Sequence, residues 1–320
     1  MDEKLYVVSV CSNPIRYATR YKLFRQFEKR ISDLGGKLIT VEMAYGDRPF
    51  QLTEPDNKFH LQFRTREELW HKENMINLAV NYLCQVAPDW KYVAWIDGDI
   101  SFQHPQIFSE TAHALQHYDI VQMFSHVIDM GPDLQPIQTH KGFMYQYQSN
   151  FYHPPQGFGV GGYYNEKQAG FWHPGYAWAA RRDAMEKLPL LDTAALGAGD
   201  HHMALSLVDC AEQSLPGNVS DGYRKSVLAW QDIAHRYIRR NVGYVPGTIT
   251  HFWHGKKKNR KYVERWDILT RNKFDPYVDL TRDAQGLYRL NDLYDNRSLR
   301  LRDEMRAYFR QRAEDSVDVD

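Results

Sequence analysis

Cysteine is scarce in this chain. Its three cysteines (Cys11, Cys84 and Cys210) among 320 residues are widely spaced and odd in number. That excludes a disulfide framework and leads us to expect reduced thiols in a cytoplasmic setting. Net charge is missing too, since 40 lysines and arginines balance 40 aspartates and glutamates. Indiscriminate nucleic-acid binding needs a basic excess, so that class is disfavoured, although a local basic patch is not. No apolar run is long enough to span a bilayer, and the opening MDEKLYVVSV has no signal-type apolar core. There is no internal repeat. The stretch after the first apolar run, CSNPIRYATR, also lacks the glycine-rich loop usual in nucleotidyltransferases.

What is present alternates. KLYVVSV is a β-branched run closed by the turn-prone CSNP. In RYKLFRQFEKRISDLGG, Leu23, Phe24, Phe27 and Ile31 share one helical face, and two glycines follow as a stop. KLITVEMAY reads as a second strand. TREELWHKENMINLAVNYL reads as a helix with Thr65 as N-cap, Glu68 completing a capping box, and Met75, Ile76, Ala79 and Leu83 on its apolar face. KYVAWID, PQIFSETAHALQHY and DIVQMFSHVI follow as strand, helix and strand. This order predicts an α/β fold, a mostly parallel sheet with helices on both faces.

The alternation breaks over residues 141–172, which are rich in glycine, tyrosine and proline. A long aromatic loop inside a compact domain is expected to be a binding loop or lid. Helix and strand patterns resume in GYAWAARRDAMEKL, GDHHMALSLVDCA and YRKSVLAWQDIAHRYIRR, and NVGYVPGTITHFWHG reads as a strand entering a histidine-rich turn. Residues 1–270 are taken as one domain. Residues 271–320 read as a charged, helix-prone extension whose end, EDSVDVD, is expected to fray.

Two features carry chemistry. YVAWIDGDISF ends a buried strand with Asp97 and Asp99 around Gly98. In an open α/β sheet ligands sit beyond the carboxyl ends of the strands. Two carboxylates there can share Mg²⁺ or Mn²⁺, or can simply close an Asp-Gly turn. Downstream, THFWHGKKKNRKYVERW sets His251 and His254 three residues apart, just after a strand and just before Lys256, Lys257, Lys258, Arg260 and Lys261. Imidazoles suit a divalent metal and the cations suit phosphate. Alone, such a basic run reads as a solvated face or a nucleic-acid patch.

Together these segments resemble the GT-A-fold glycosyltransferases, and in motif order the β-1,4-galactosyltransferase group, family 7. The resemblance runs from about Leu5 to about Leu269. IDGDISF resembles the Asp-x-Asp motif that binds the nucleotide sugar's metal. KENMIN resembles a basic segment ending in asparagine near the nucleotide, which implies Lys72 and Asn77 beside it. GYAWAARRDAMEKL followed by GAGDHHMAL resembles the strand and acidic segment that floor the acceptor site, and HFWHGKKKN resembles a Met-x-x-His segment ending in asparagine. The resemblance implies metal ligands Asp99, His251 and His254, with His251 at the methionine position and Asp97 direct or through water. It also implies a donor set of Arg16, Lys72, Asn77, Asp97 and Lys256. The chain departs in having Asp200 followed by His201 and His202 where the family has consecutive acids. The catalytic base is then Asp200 or His201.

The expected activity is metal-dependent, inverting transfer of a sugar from a UDP-linked donor to an acceptor hydroxyl, with Mn²⁺ or Mg²⁺. Acceptors open to it are a glycan, a small molecule or a hydroxylated base in DNA. A metal-dependent nucleotidyltransferase is the alternative chemistry. Asp200 reads equally as an N-cap of the helix after it. Trp172 and Trp178 either stack on the acceptor or pack in the core.

Overall fold

The computed structural model describes residues 4–150, 172–261, 264–291 and 295–318. The chain begins with β1 (Leu5–Ser12), α1 (Ala18–Asp33), β2 (Lys37–Tyr45), β3 (His60–Thr65), α2 (Lys72–Val86), β4 (Tyr92–Ile96) and β5 (Ile100–Phe102). It continues with α3 (Ile107–Ala114), β6 (Ile120–Gln122), β7 (His126–Met130), β8 (Pro136–Gly142) and α4 (Phe143–Ser149). From residue 172 come β9 (Trp172–His173), β10 (Ala177–Arg181), α5 (Arg182–Lys187), α6 (Gly199–Ser206), α7 (Asp221–Tyr237), β11 (Val242–Tyr244) and β12 (Thr248–His251). The remaining elements are α8 (Arg265–Arg271), α9 (Pro276–Asp279), the hairpin β13 (Leu280–Arg282) and β14 (Tyr288–Leu290), and α10 (Asn296–Arg310).

Among the described residues the larger sheet has the order β11-β6-β10-β4-β1-β2-β3. Its pairings are parallel except on either side of β10, which runs against both β4 and β6. The expected α/β fold with a mostly parallel sheet is therefore borne out. β1 shows why both faces are covered. Leu5 and Val7 point to a core shared with Phe27 and Ile31 of α1 and Ile107 of α3, whereas Tyr6 and Val8 point to one shared with α2, α6, α7 and α10. Each such large side chain contributes about 1.5–3 kcal/mol when fully buried.

A smaller sheet, β5-β12-β7-β8-β9, continues from the carboxyl edge of the larger one. β4 passes into β5, β6 into β7 and β11 into β12, so three strands of the large sheet feed the small one. DIVQMFSHVI, expected as one strand, is thus two strands in different sheets. Met123 and Phe124 at the crossing are fully buried, so the apolar run shows no break. The helix expected to open at Thr65 starts at Lys72 instead. Thr65 ends β3, and its hydroxyl accepts the Glu67 amide at 3.0 Å in a local turn rather than a capping box. Residues 141–149, expected as loop, are the end of β8 and α4. The rest of the expected lid, 151–171, lies outside the described residues.

The start of the tail expected to fray is packed, whereas Val317 is exposed. Leu301, Met305, Tyr308 and Phe309 of α10 belong to the main core, and Glu314 is buried. Gly98 lies in the turn between β4 and β5, and a close approach also constrains it. A Cβ there would meet the Phe24 ring at 2.5 Å. Gly98→Ala should therefore overpack this contact and lower stability by about 1–3 kcal/mol. Adding Phe24→Leu should restore part of the loss in thermal unfolding followed by circular dichroism. An unchanged melting temperature for Gly98→Ala would show that the ring yields without cost.

Candidate functional site

A pocket opens at the carboxyl edge of the large sheet, where the chain leaves β1 and β4 and approaches β10. Asn13, Ile15 and Tyr17 line it from the turn after β1. Asp97, Gly98 and Asp99 line it from the crossing between the sheets, and His173 and Tyr176 from the approach to β10. Two non-glycine residues that line it have left-handed backbones, Tyr176 (φ 71°) and Ala198 (φ 73°), as does Arg16 (φ 67°) in the turn after β1. Such conformations cost energy and collect where a side chain or carbonyl must be aimed. The Tyr176 carbonyl, for example, accepts the Asp97 amide at 2.8 Å.

Asp99, His251 and His254 come together as the sequence predicted. One ligand atom from each lies within 4.8 Å of the others. The small sheet sets this up, because His251 faces Ile100 in β5 and Asp129 in β7. Asp99 then enters the same corner, its carbonyl accepting the Phe252 amide at 2.9 Å. His254 Nε2 is 3.0 Å from Asp99 Oδ2 and 3.2 Å from His251 Nε2. Asp99 Oδ1 is buried with no hydrogen-bond partner among the described residues. Two imidazole nitrogens turned on each other beside an orphaned carboxylate oxygen match the donor set of a divalent cation, which would displace Arg260 Nη2 from its place 2.9 Å from His254 Nε2.

The protonation states agree. Burial, aided by the Arg260 guanidinium, pushes His254 down to about 4, so at neutral pH it is uncharged. Burial would raise Asp99, but His254, His251 and Arg260 together hold its carboxyl well below the usual range. Behind His251 stands Asp129, which the sequence reading missed. Asp129 Oδ1 is 2.7 Å from His251 Nδ1, and its Oδ2 accepts from Lys257 Nζ at 2.6 Å. Burial opposes the Asp129 charge, but the bond to His251 and the nearby His251, His140 and Lys257 keep it ionised. A carboxylate on Nδ1 directs the lone pair of Nε2 into the pocket.

On the other wall Lys72, at the start of α2, pairs with Asp97. Burial acts against the Lys72 charge, while Asp97, Glu73 and Asp200 sustain it. Asp200 and His201 lie in the first turn of α6 and both line the pocket. The Asp200 carboxylate packs on Gly175, where a Cβ would stand 2.4 Å from Oδ2. Ala198 occupies the N-cap position of α6, and among the described residues Asp200 Oδ1 accepts the adjacent His201 amide, at 2.9 Å. The capping alternative for Asp200 therefore does not hold. His201 is buried against Trp172, rings parallel within 8°, and burial lowers it to about 4.

Other expected residues fall elsewhere. Asn77 faces away from the pocket, donating to the Leu190 carbonyl at 2.9 Å and accepting the Leu190 amide at 2.9 Å; it clamps a loop. Trp178 is a sheet residue whose Nε1 donates to the Pro174 carbonyl at 2.7 Å, so it is core. Trp172 is buried beside His201 and does not line the pocket. Arg16 is exposed and does not line the pocket. From the basic run it is Arg260 that lines the pocket, not Lys256. Sequence reading also missed Arg20, Arg265, Arg312 and Glu314, which line the pocket from α1, α8 and the C-terminal segment.

No protein-family model matches this chain, and no curated protein matches it. Solved structures do. A Desulfovibrio desulfuricans G20 protein described as a nucleotide-diphospho-sugar transferase is 14% identical, with 99% of each chain covered and a TM-score of 0.34. The catalytic domain of Drosophila β1,4-galactosyltransferase 7, in complex with xylobiose, is 12% identical over 93% of this chain and 98% of its own, with a TM-score of 0.37. A glycosyltransferase involved in glycosylation of the PBCV-1 major capsid is 10% identical over 94% and 98%, with a TM-score of 0.29. Identities and scores this low transfer no residue role and no activity.

Glu73 gives a test of the site's electrostatics. Burial, reinforced by Asp200, raises it to about 7 from an ordinary 4.5, against the pull of Lys72. An acid raised on folding favours the folded state most below its unfolded value, and that contribution is lost as pH rises through about 7. With EDTA present, Glu73→Gln should therefore gain a few degrees of melting temperature relative to wild type between pH 5 and pH 8. A pH-independent difference would mean that Glu73 is not held protonated.

Proposed function

We propose that this chain is a GT-A-type glycosyltransferase that moves a sugar from a UDP-linked donor to an acceptor hydroxyl with inversion. One observation carries the reading. The Asp99–His251–His254 donor set, the Lys72–Asp97 pair and Asp200 converge on a single pocket at the carboxyl edge of a parallel sheet. The order of the motifs along the chain supports it. Asp99, His251 and His254 would hold Mn²⁺ or Mg²⁺, with Asp97 nearby through water or on the donor ribose. A bound cation there would offset charge developing on the departing diphosphate.

The chain's own groups supply the rest. Lys72 and Arg260, with Arg20, Arg265 and Arg312 lining the pocket, provide cationic surface for a diphosphate. Asp200 lines the same pocket, half-buried, and its carboxylate can take the acceptor proton as the hydroxyl attacks C1. His201 is the weaker candidate, since its ring is stacked on Trp172 rather than free to follow a substrate. The acceptor is a glycan, a small molecule or a hydroxylated DNA base. The three free cysteines fit the cytoplasmic setting that we infer.

Calorimetry of UDP binding tests the metal. Affinity should rise with Mn²⁺, and His254→Ala should abolish the gain; equal affinity with and without Mn²⁺ would remove the site. Turnover tests the base. With a donor found by screening nucleotide sugars by mass spectrometry, Asp200→Asn should keep donor and metal binding and lose about 10²–10⁴-fold in turnover. Near-normal turnover would move the search to His201, and a product that keeps the donor's anomeric configuration would discard inversion.

A further inference from the structure

The C-terminal segment after α10 is charged, yet it is locked against the pocket. Glu314 is 1% exposed. Its carboxylate accepts from Arg20 Nε at 2.8 Å and Nη2 at 2.5 Å, and from Arg312 Nε at 2.6 Å. Around it the backbone is pinned. The first amides of α1, at Ala18 and Thr19, donate to Asp315 at 3.0 and 2.8 Å. The residue before α1, Tyr17, gives no side-chain cap, so Asp315 satisfies that helix start from the far end of the sequence. Trp253 Nε1 donates to the Ser316 carbonyl at 2.7 Å. Gly255, next to His254, has φ +85°, and a Cβ there would stand 2.8 Å from the Ala313 carbonyl oxygen.

The Nδ1 side of His254 faces this segment. His254 Nδ1 is 3.9 Å from Glu314 Oε2, within ion-pair reach but longer than a hydrogen bond. If His254 offers Nε2 to a metal, its proton sits on Nδ1, toward Glu314. His251 has the same arrangement, with Asp129 behind its Nδ1. Each imidazole of the cluster thus has a buried carboxylate at its back, one from the small sheet and one from the C-terminal segment.

We propose that Glu314 is a positioning residue of the metal site, holding the tautomer and orientation of His254, and that residues 311–316 are part of that site. This rests on the metal reading above. The arginines give Glu314 its fixed place, and the bond to α1 ties the segment to the donor side of the pocket.

The test is Mn²⁺ affinity without nucleotide, read from the free-Mn²⁺ paramagnetic resonance signal, alongside melting temperature. Glu314→Gln should weaken Mn²⁺ binding about 10–100-fold, the usual scale for a residue behind a metal ligand. Glu314→Asp, which keeps the charge, should recover part of that loss. If Glu314→Gln lowers the melting temperature but leaves Mn²⁺ affinity within twofold of wild type, Glu314 only clamps Arg20 and Arg312, and the inference is overturned. If Glu314→Gln does not fold, Glu314→Asp decides, and an affinity equal to wild type overturns the inference. A wild-type protein that binds no Mn²⁺ overturns the metal reading itself, and the inference with it.

Discussion

The bond between Asp129 and His251 fixes the chemistry of this molecule. A buried carboxylate is costly unless it is paired, and Asp129 is paired with His251 on one oxygen and with Lys257 on the other. That pairing turns His251 so that Nε2 meets His254 and Asp99. Asp129 and His251 are register partners on adjacent parallel strands, so the orientation is written into the ladder of the small sheet rather than into a flexible loop. A site built on strands holds its ligands more closely than one built on loops.

The two-sheet design explains why the site lies where it does. Strands that leave the large sheet at its carboxyl edge re-enter the small one within a few residues. Asp97, Gly98 and Asp99 occupy one such crossing, which answers why an apolar strand ends in two aspartates around a glycine. Asp97 stays with the large sheet and Lys72, Asp99 turns to His254 just past the end of β12, and Gly98 leaves room for the Phe24 ring.

Much of this was legible in the sequence. Leu23, Phe24, Phe27 and Ile31 are the buried face of α1, and Met75, Ile76, Ala79 and Leu83 lie on that of α2, because helical periodicity survives into the packed state. Asp99, His251 and His254 could be grouped because strand ends concentrate ligands. Asp129 and Glu314 could not. Asp129 is a lone acid in an apolar run, and its partner is 122 positions away. Glu314 sits in an acidic tail whose composition reads as solvated, and only tertiary contact with Arg20 and Arg312 buries it. For Trp178 the sequence left acceptor stacking and core packing open, and the sheet around it decides for the core. Asn77 was misread because its amide satisfies the loop at Leu190, a contact with no local signature.

The central claim is that the Asp99–His251–His254 cluster holds a divalent cation. The direct measurement is anomalous diffraction at the manganese edge from crystals grown with Mn²⁺. The account predicts one strong anomalous peak in contact with the Asp99 carboxylate and both imidazole Nε2 atoms, lost in His251→Ala. Well-ordered density for these three side chains with no anomalous peak among them, at Mn²⁺ concentrations that saturate ordinary sites, would contradict it.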